Sequence, residues 1–329
     1  MKQKKQILFL TLALLAFGIL LLTAHPAFGE GGEGKGSTGE RVMVLCVGLD
    51  EAAGNTDVMM LLSVDTANRQ LSVLQIPRDT YCRTAMGEGK INAIYPSLIA
   101  SGCKENKALL SLTEEVSRLF GVKIDTYAAI DVDSLALLVD KAGGLALHIV
   151  EDLTLGGEVF CAGEHRLDGA MVVRLIRHRA SYAEGDLGRL DAQKLILGAA
   201  YRKLREEASP FTLIGLLPTI ASEVKTTLPL TAQLALGCSL YRDRDSYAVR
   251  VATLPGEAVL LEGETRISYY AVNRSATVAL FAKVGLSAAP SEGLTSKANP
   301  EIGQIYEKSD IGYTIYTEDT LDSIQIKTK

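Results

Sequence analysis

Apolar and polar positions change period several times along this chain, and each change marks an element. Residues 42–49, 58–64 and 71–76 are near-continuous apolar runs rich in Val, Leu and Met, the pattern of strands buried on both faces. Asp65-Thr66-Ala67-Asn68 between the last two is turn sequence. At 107–120 the period becomes helical, with Leu109, Leu112, Val116 and Leu119 on one face and Gly121 as the stop. Residues 127–130 read as a strand, 134–141 as a helix closed by Gly143-Gly144, and 145–150 as another strand. Helical spacing returns at 168–178 and 187–207, and 248–254 is a strand stopped by Pro255-Gly256. Strands alternating with helices predict one α/β domain around a central sheet.

The first forty residues follow a different pattern. Residues 7–24 are apolar and carry no charge, near the short end of what spans a bilayer, about 17–25 residues. Lys2, Lys4 and Lys5 ahead of them favour a cytoplasmic N-terminus. The expected order is a cytoplasmic tail at 1–6, a transmembrane signal anchor at 7–24, a Gly-rich linker at 25–40, a folded body at 41–286 and a tail at 287–329 of unassigned role. Ala27-Phe28-Gly29 also fits a signal-peptidase site, so anchor and cleaved leader both stand; either exports everything beyond residue 30. Gly29 with Gly34-Lys35 imitates a phosphate loop, but Gly36 stands where Ser or Thr is needed and no strand precedes it. In the tail, Pro290, Gly293, Asn299 and Pro300 break any period, and 312–316 reads as an added strand.

Composition changes the picture in two respects. With 47% hydrophobic and 22% charged residues the body is globular. A net charge of −5 and the lack of a helix-turn-helix pattern argue against nucleic acid as a partner. The five cysteines all follow the apolar segment, where oxidation is possible. Cys46 reads as a buried thiol; Cys82, Cys103 and Cys161 can supply one disulfide, with Cys82 and Cys103 the expected pair closing the segment after residue 79, and the odd total leaves at least one cysteine outside it. No Cys/His spacing suggests zinc.

The candidate chemistry lies at strand and helix ends. Ile76-Pro77-Arg78-Asp79-Thr80 puts a cation and a carboxylate at the carboxyl end of a strand, where ligands of open α/β sheets sit. Further on come Arg177-His178-Arg179, Asp186-Leu187-Gly188-Arg189 and Gln193, one turn beyond Arg189. Guanidinium groups suit a polyanion because they stay charged and grip phosphate oxygens as a fork. Each motif also has a structural reading: an ion pair at a strand end for Arg78-Asp79, a solvated helix end for Arg177 and Arg179, turn residues for Asp50 and Asp57. Lys90 and Asn92 read equally as substrate contacts or as a helix start. The apolar helices at 134–141 and 169–176 read as core, or as walls of a groove for a lipid chain.

Taken in order, these blocks resemble the LytR-CpsA-Psr family of bacterial cell-wall proteins. The resemblance covers roughly residues 41–285 and rests on Leu45-Cys-Val-Gly-Leu-Asp50, Asn55-Thr-Asp57, Ile76-Pro-Arg78-Asp79-Thr, Lys90-Ile-Asn92, Ile124 to Asp131, Leu137 to Gly144, Leu167-Asp-Gly-Ala, Arg177-His-Arg179, Gly185-Asp186-Leu-Gly-Arg189 and Gln193. It implies an α-β-α catalytic domain with a mixed sheet, membrane-anchored and facing out of the cell. It also implies a phosphotransferase moving an anionic glycopolymer, such as a teichoic acid or capsule, from a polyprenyl-pyrophosphate carrier to the muramic acid 6-hydroxyl of peptidoglycan. By the same resemblance Asp50 and Asp57 hold Mg²⁺ or Mn²⁺. Arg78, Lys90, Arg177, Arg179, Arg189 and Gln193 bind phosphate, and Arg78, Asp79 and Asp186 serve the reaction. Asp57, Asp79 and Asp186 all remain open as the general base. The chain departs from the family at Asn55-Thr56, where a basic residue and longer spacer are usual, and at Ala192, where Arg is frequent. A pyrophosphatase releasing lipid phosphate to water, and a non-catalytic module holding the lipid-linked polymer, are the competing readings.

Overall fold

Strands β1 (Arg41–Asp50), β2 (Asn55–Asp65) and β3 (Gln70–Ile76) form an antiparallel meander. The computed structural model describes residues 41–50, 55–155, 157–177, 182, 185–207, 209–262 and 266–326. The expected anchor at 7–24, the linker at 25–40 and Arg179 lie outside the described residues, and of Asp50 the backbone alone is described. Among the described residues no helix is long and apolar enough to cross a membrane.

The hairpin β4 (Tyr81–Thr84) and β5 (Gly87–Lys90) follows, then the Ile94–Ala100 and Glu105–Phe120 helices. β6 (Thr126–Asp131) returns to pair in parallel with β1. After the Val132–Lys141 helix come β7 (Leu145–Ile149), a small hairpin of β8 (Leu153–Leu155) and β9 (Glu158–Phe160), and β10 (Gly163–Leu167), which pairs with β7. The Gly169–Arg177, Asp186–Arg202 and Pro210–Glu223 helices precede β11 (Lys225–Thr226), and the Leu230–Arg242 helix precedes β12 (Ala248–Thr253). The hairpin β13 (Gly256–Leu261) and β14 (Ile267–Val272), the Arg274–Lys283 and Pro300–Glu307 helices and β15 (Tyr316–Thr317) complete the chain. The central sheet runs β11-β6-β1-β2-β3-β12-β15, with β1–β6 and β3–β12 parallel and the other pairs antiparallel. It is the expected mixed sheet.

The apolar runs are continuous because both faces of the sheet are covered. Val44, Cys46, Met60, Leu62 and Val73 pack against Leu138, Val172, Leu195 and Ile196 of the helices on one face. Leu45, Val47, Met59, Leu61 and Leu74 pack against Leu112, Val116 and Phe281 on the other. The period-2 alternation thus selects the helix layer and not solvent. Each fully buried Leu or Val contributes roughly 1.5–3 kcal/mol. The apolar helices raised as lipid-groove walls are largely core: Leu135, Leu138, Val139, Val172, Leu175 and Ile176 are all buried, while Leu137 is exposed. They approach so closely that a Cβ on Gly169 would lie 2.2 Å from the Ala136 carbonyl oxygen.

Two sequence expectations change. The Cys82–Cys103 disulfide is not formed: among the described residues no cysteine is in a disulfide. Cys82 is buried as a small hydrophobe in the second core, with Cys103 at its margin. Residues 287–326 also do not trail from the body. Leu294 and Tyr306 join one core and Leu321 and Ile324 the other. The strand expected at 312–316 is Tyr316–Thr317, which pairs with Val251 and Arg250 and extends the sheet edge.

Candidate functional site

The carboxyl end of β3 fixes the centre of the site. Pro77 ends the strand, and its carbonyl accepts from both the Thr80 amide (3.0 Å) and the Thr80 hydroxyl (2.6 Å), closing a tight turn around Arg78-Asp79. Asn92 N–H donates to the Arg78 carbonyl at 3.3 Å, so the turn is held from both sides. Arg78 therefore projects from fixed backbone.

A bulge brings the first carboxylate to it. Gly48 pairs with Val58 and Leu49 with Thr56, leaving Asp57 as the extra residue between them. Such bulges re-aim a side chain, and here Asp57 Oδ1 accepts from Arg78 Nη1 at 2.7 Å. Arg78 Nε lies 3.1 Å from Asp186 Oδ1, and Arg189 Nη2 lies 2.9 Å from the same oxygen. The result is an alternating chain Asp57–Arg78–Asp186–Arg189. Burial disfavours the charge on Arg78, yet the Asp186 and Asp57 carboxylates outweigh it and hold the guanidinium above its ordinary pKa. Arg78 keeps 14% side-chain exposure while Arg189 is fully buried.

The Asp186–Arg202 helix supplies the other half. Gly185 precedes it at φ +57°, a left-handed conformation that suits glycine. Asp186 occupies the first turn, where the helix dipole favours a carboxylate. Tyr182 buttresses this end: its hydroxyl donates to the Leu175 carbonyl, and its Cβ would be 2.8 Å from a Cβ placed on Gly188. That packing joins the Gly169–Arg177 helix, which half-buried Arg177 closes, to the Asp186 turn.

Gln193 faces inward beside Arg189. Its Oε1 accepts from Gln75 Nε2 at 3.3 Å, and its own Nε2 is buried with no hydrogen-bond partner among the described residues. Gln75 Nε2 also donates to the Leu190 carbonyl (3.0 Å), and Gln75 Oε1 accepts from Thr253 (2.8 Å). Gln75 and Thr253 were not singled out from sequence, although one amide inside the apolar run Leu71-Ser-Val-Leu-Gln-Ile76 was a usable signal. A buried amide must find partners.

Asp79 and Lys90 form a separate pair at 2.9 Å on the rim. Lys90 is thus placed by Asp79, and Asn92 serves through its backbone, its N–H bonding Arg78 and its carbonyl accepting from Thr56 at 3.2 Å. The structure gathers Asp57, Arg78, Asp186, Arg189 and Gln193, with Asp79 and Lys90 beside them. For a metal, Asp50 ends β1 and Asp57 lies in β2 at the same sheet edge. Among the described residues no three His, Cys, Asp or Glu side chains cluster as ligands.

The fold and site define an α/β domain in which guanidinium groups, held by carboxylates, gather at the strand ends. The chain belongs to the LytR_cpsA_psr family, whose pattern matches residues 29–284. Over 195 residues it is 30% identical to the polyisoprenyl-teichoic acid--peptidoglycan teichoic acid transferase TagU of Oceanobacillus iheyensis, which takes in 58% of this chain and 60% of that one. The chain spans 60% of the length of TagU of Oceanobacillus iheyensis and 51% of that of TagV of Bacillus subtilis. The crystal structure of B. subtilis TagV superposes with a TM-score of 0.59 at 24% identity, covering 75% of this chain and 95% of that one. The structure of TagT bound to LIIa-WTA gives 0.58 at 20% identity, covering 78% and 92%. At such identities the likeness speaks for the fold.

Proposed function

We propose that this protein transfers an anionic glycopolymer of the teichoic acid class from a polyprenyl-pyrophosphate carrier to the 6-hydroxyl of muramic acid in peptidoglycan. The observation that carries the reading is the Asp57–Arg78–Asp186–Arg189 chain at the strand ends, in a chain similar to a named teichoic acid transferase. In the step itself, the muramic oxygen attacks the phosphorus attached to the polymer. The new phosphodiester bond forms, the bond to the bridging oxygen breaks, and polyprenyl phosphate leaves with that oxygen. Arg78, Arg189 and Gln193 Nε2 bind and orient the phosphates and meet the charge that grows on the leaving group. Arg177, which closes the Gly169–Arg177 helix, is assigned to phosphate binding in the same reading. The hydroxyl proton passes to a carboxylate. Asp79 and Asp186, at 21% and 23% exposure, are more reachable than Asp57 at 8%. A divalent cation such as Mg²⁺ or Mn²⁺, held by Asp50 and Asp57, would neutralise pyrophosphate oxygens when bound.

The same reading places the protein at the cell membrane as a single-pass protein, with residues 7–24 as anchor and the body outside. The basic Lys2, Lys4 and Lys5 ahead of the apolar run support this orientation. The test is incubation of the full chain, in lipid, with a labelled polyprenyl-pyrophosphate glycan and peptidoglycan fragments. Mass spectrometry should find a glycan phosphodiester on muramic acid and an equal amount of polyprenyl phosphate. Polyprenyl phosphate without the phosphodiester would make the protein a pyrophosphatase, and neither product would leave a binding module.

A further inference from the structure

Resting on that reading, we infer that the groove on the outer side of the Asp186–Arg202 helix binds the sugar of the acceptor glycan strand, with Tyr313 and Tyr316 as its aromatic walls. The groove encloses about 360 Å³, with residues 312–316 forming one of its sides, within the ~300–1,000 Å³ of ordinary ligand pockets. Its floor and other side come from Leu190, Asp191 and Lys194 of the helix and from Thr253 to Gly256 after β12.

The groove opens at the same sheet edge as Arg78. β12 runs parallel to β3 with Thr253 opposite Gln75, so the end of β12 reaches the same carboxyl end of the sheet as Arg78. Leu254 N–H donates to the Gln75 carbonyl at 2.9 Å, and Tyr270 N–H donates to the Asp79 carbonyl at 2.8 Å. Thr253, in the groove wall, reaches Gln193 through Gln75. A ligand lying here has one end beside the transferring phosphate.

The lining selects the occupant. Lys194 is bound to Asp191 at 2.6 Å and stands 5.3 Å from the Tyr316 ring centroid, so its charge is already met and a polyanion gains little. The paired charges and the Thr253 hydroxyl make the groove too polar for a polyprenyl chain. Half-buried tyrosine faces beside polar donors and acceptors suit a sugar ring, with its apolar face and equatorial hydroxyls. In the proposed reaction the ligand that is saccharide without phosphate at the reacting end is the acceptor.

The test uses the full chain in lipid, with a phosphate-free muramic acid–glucosamine tetrasaccharide as probe in calorimetry, and transfer kinetics alongside. Tyr313→Ala should weaken tetrasaccharide binding and raise the acceptor KM about tenfold or more, with binding of the polyprenyl-pyrophosphate donor unchanged. Tyr313→Phe, which keeps the ring, should bind like wild type and guards against a folding defect in the Ala variant. Tetrasaccharide affinity unchanged in Tyr313→Ala, or equal loss of donor and tetrasaccharide binding in both variants, would overturn the groove. Ring-dependent tetrasaccharide binding in a wild-type protein that transfers nothing would support the groove while sinking the transferase reading.

Discussion

Replacing Arg78 with Ala removes one guanidinium that serves two carboxylates through two different nitrogens, Nη1 to Asp57 at 2.7 Å and Nε to Asp186 at 3.1 Å. Asp186 retains Arg189, whereas Asp57 loses this ion pair. A charge-assisted contact contributes about 1.5–3 kcal/mol, and partial exposure of Arg78 discounts the two here, so we expect a stability loss of about 2 kcal/mol. That is more than the turn at 78–79 suggests from sequence. Loss of one preorganised donor to the transition state costs about 2.7–4 kcal/mol, a hundredfold to a thousandfold in turnover. Arg78→Lys keeps the charge but cannot reach both carboxylates as a fork, so it should recover part of the rate. The assay is single-turnover transfer from a labelled polyprenyl-pyrophosphate glycan, with donor affinity and thermal midpoint measured on the same samples. Near-normal turnover in a folded Ala variant would return Arg78 to a structural ion pair and refute the mechanism. A Lys variant equal to wild type would refute the need for a fork.

Asp57→Asn should remove most transfer activity, as should EDTA; full activity in EDTA would reject a divalent cation at this edge. Gly169→Ala would put a methyl 2.2 Å from the Ala136 carbonyl oxygen and should cost about 1–3 kcal/mol, lowering the thermal midpoint by roughly 2–10 °C; an unchanged melt would show that the helices separate freely. Burial pushes the Cys46 and Cys82 thiols up to about 12 from an ordinary 9.0. Both stay protonated in the fold while the unfolded chain ionises, so their contribution is present below pH 9 and is lost as pH rises from 9 towards 12. Thiolate absorbance followed against pH in native protein checks this, and titration of both thiols near 9 would contradict it.

The strands of the meander were legible because burial on both faces writes an unbroken apolar run, as in Leu71 to Ile76. Arg78 was legible because Pro77 stops that run, leaving the charge at a defined place. The bulge at Asp57 was not, since a shift of register between Gly48 and Leu49 has no local sequence signature. Gln75 was missed for a related reason: its partners, Leu190, Gln193 and Thr253, are more than a hundred residues away. The tail after 286 looked separate because its apolar residues, Leu294, Ile302, Tyr306 and Leu321, are too widely spaced to show a period. They are nonetheless buried.

Under the proposed function, the arrangement lets a chain of net charge −5 present a site for polyanions. Cations gathered without counter-charges at a strand end would repel one another and lose hydration on burial. Interleaving Asp57 and Asp186 between Arg78 and Arg189 offsets both costs. It also fixes the guanidinium planes before any ligand arrives, so little reorganisation is needed at the moment of reaction. A phosphate arriving at Arg78 meets the partly exposed guanidinium and competes with Asp57 for Nη1. Arg189, fully buried, keeps its hold on Asp186. Ligand exchange therefore begins at the Asp57–Arg78 contact.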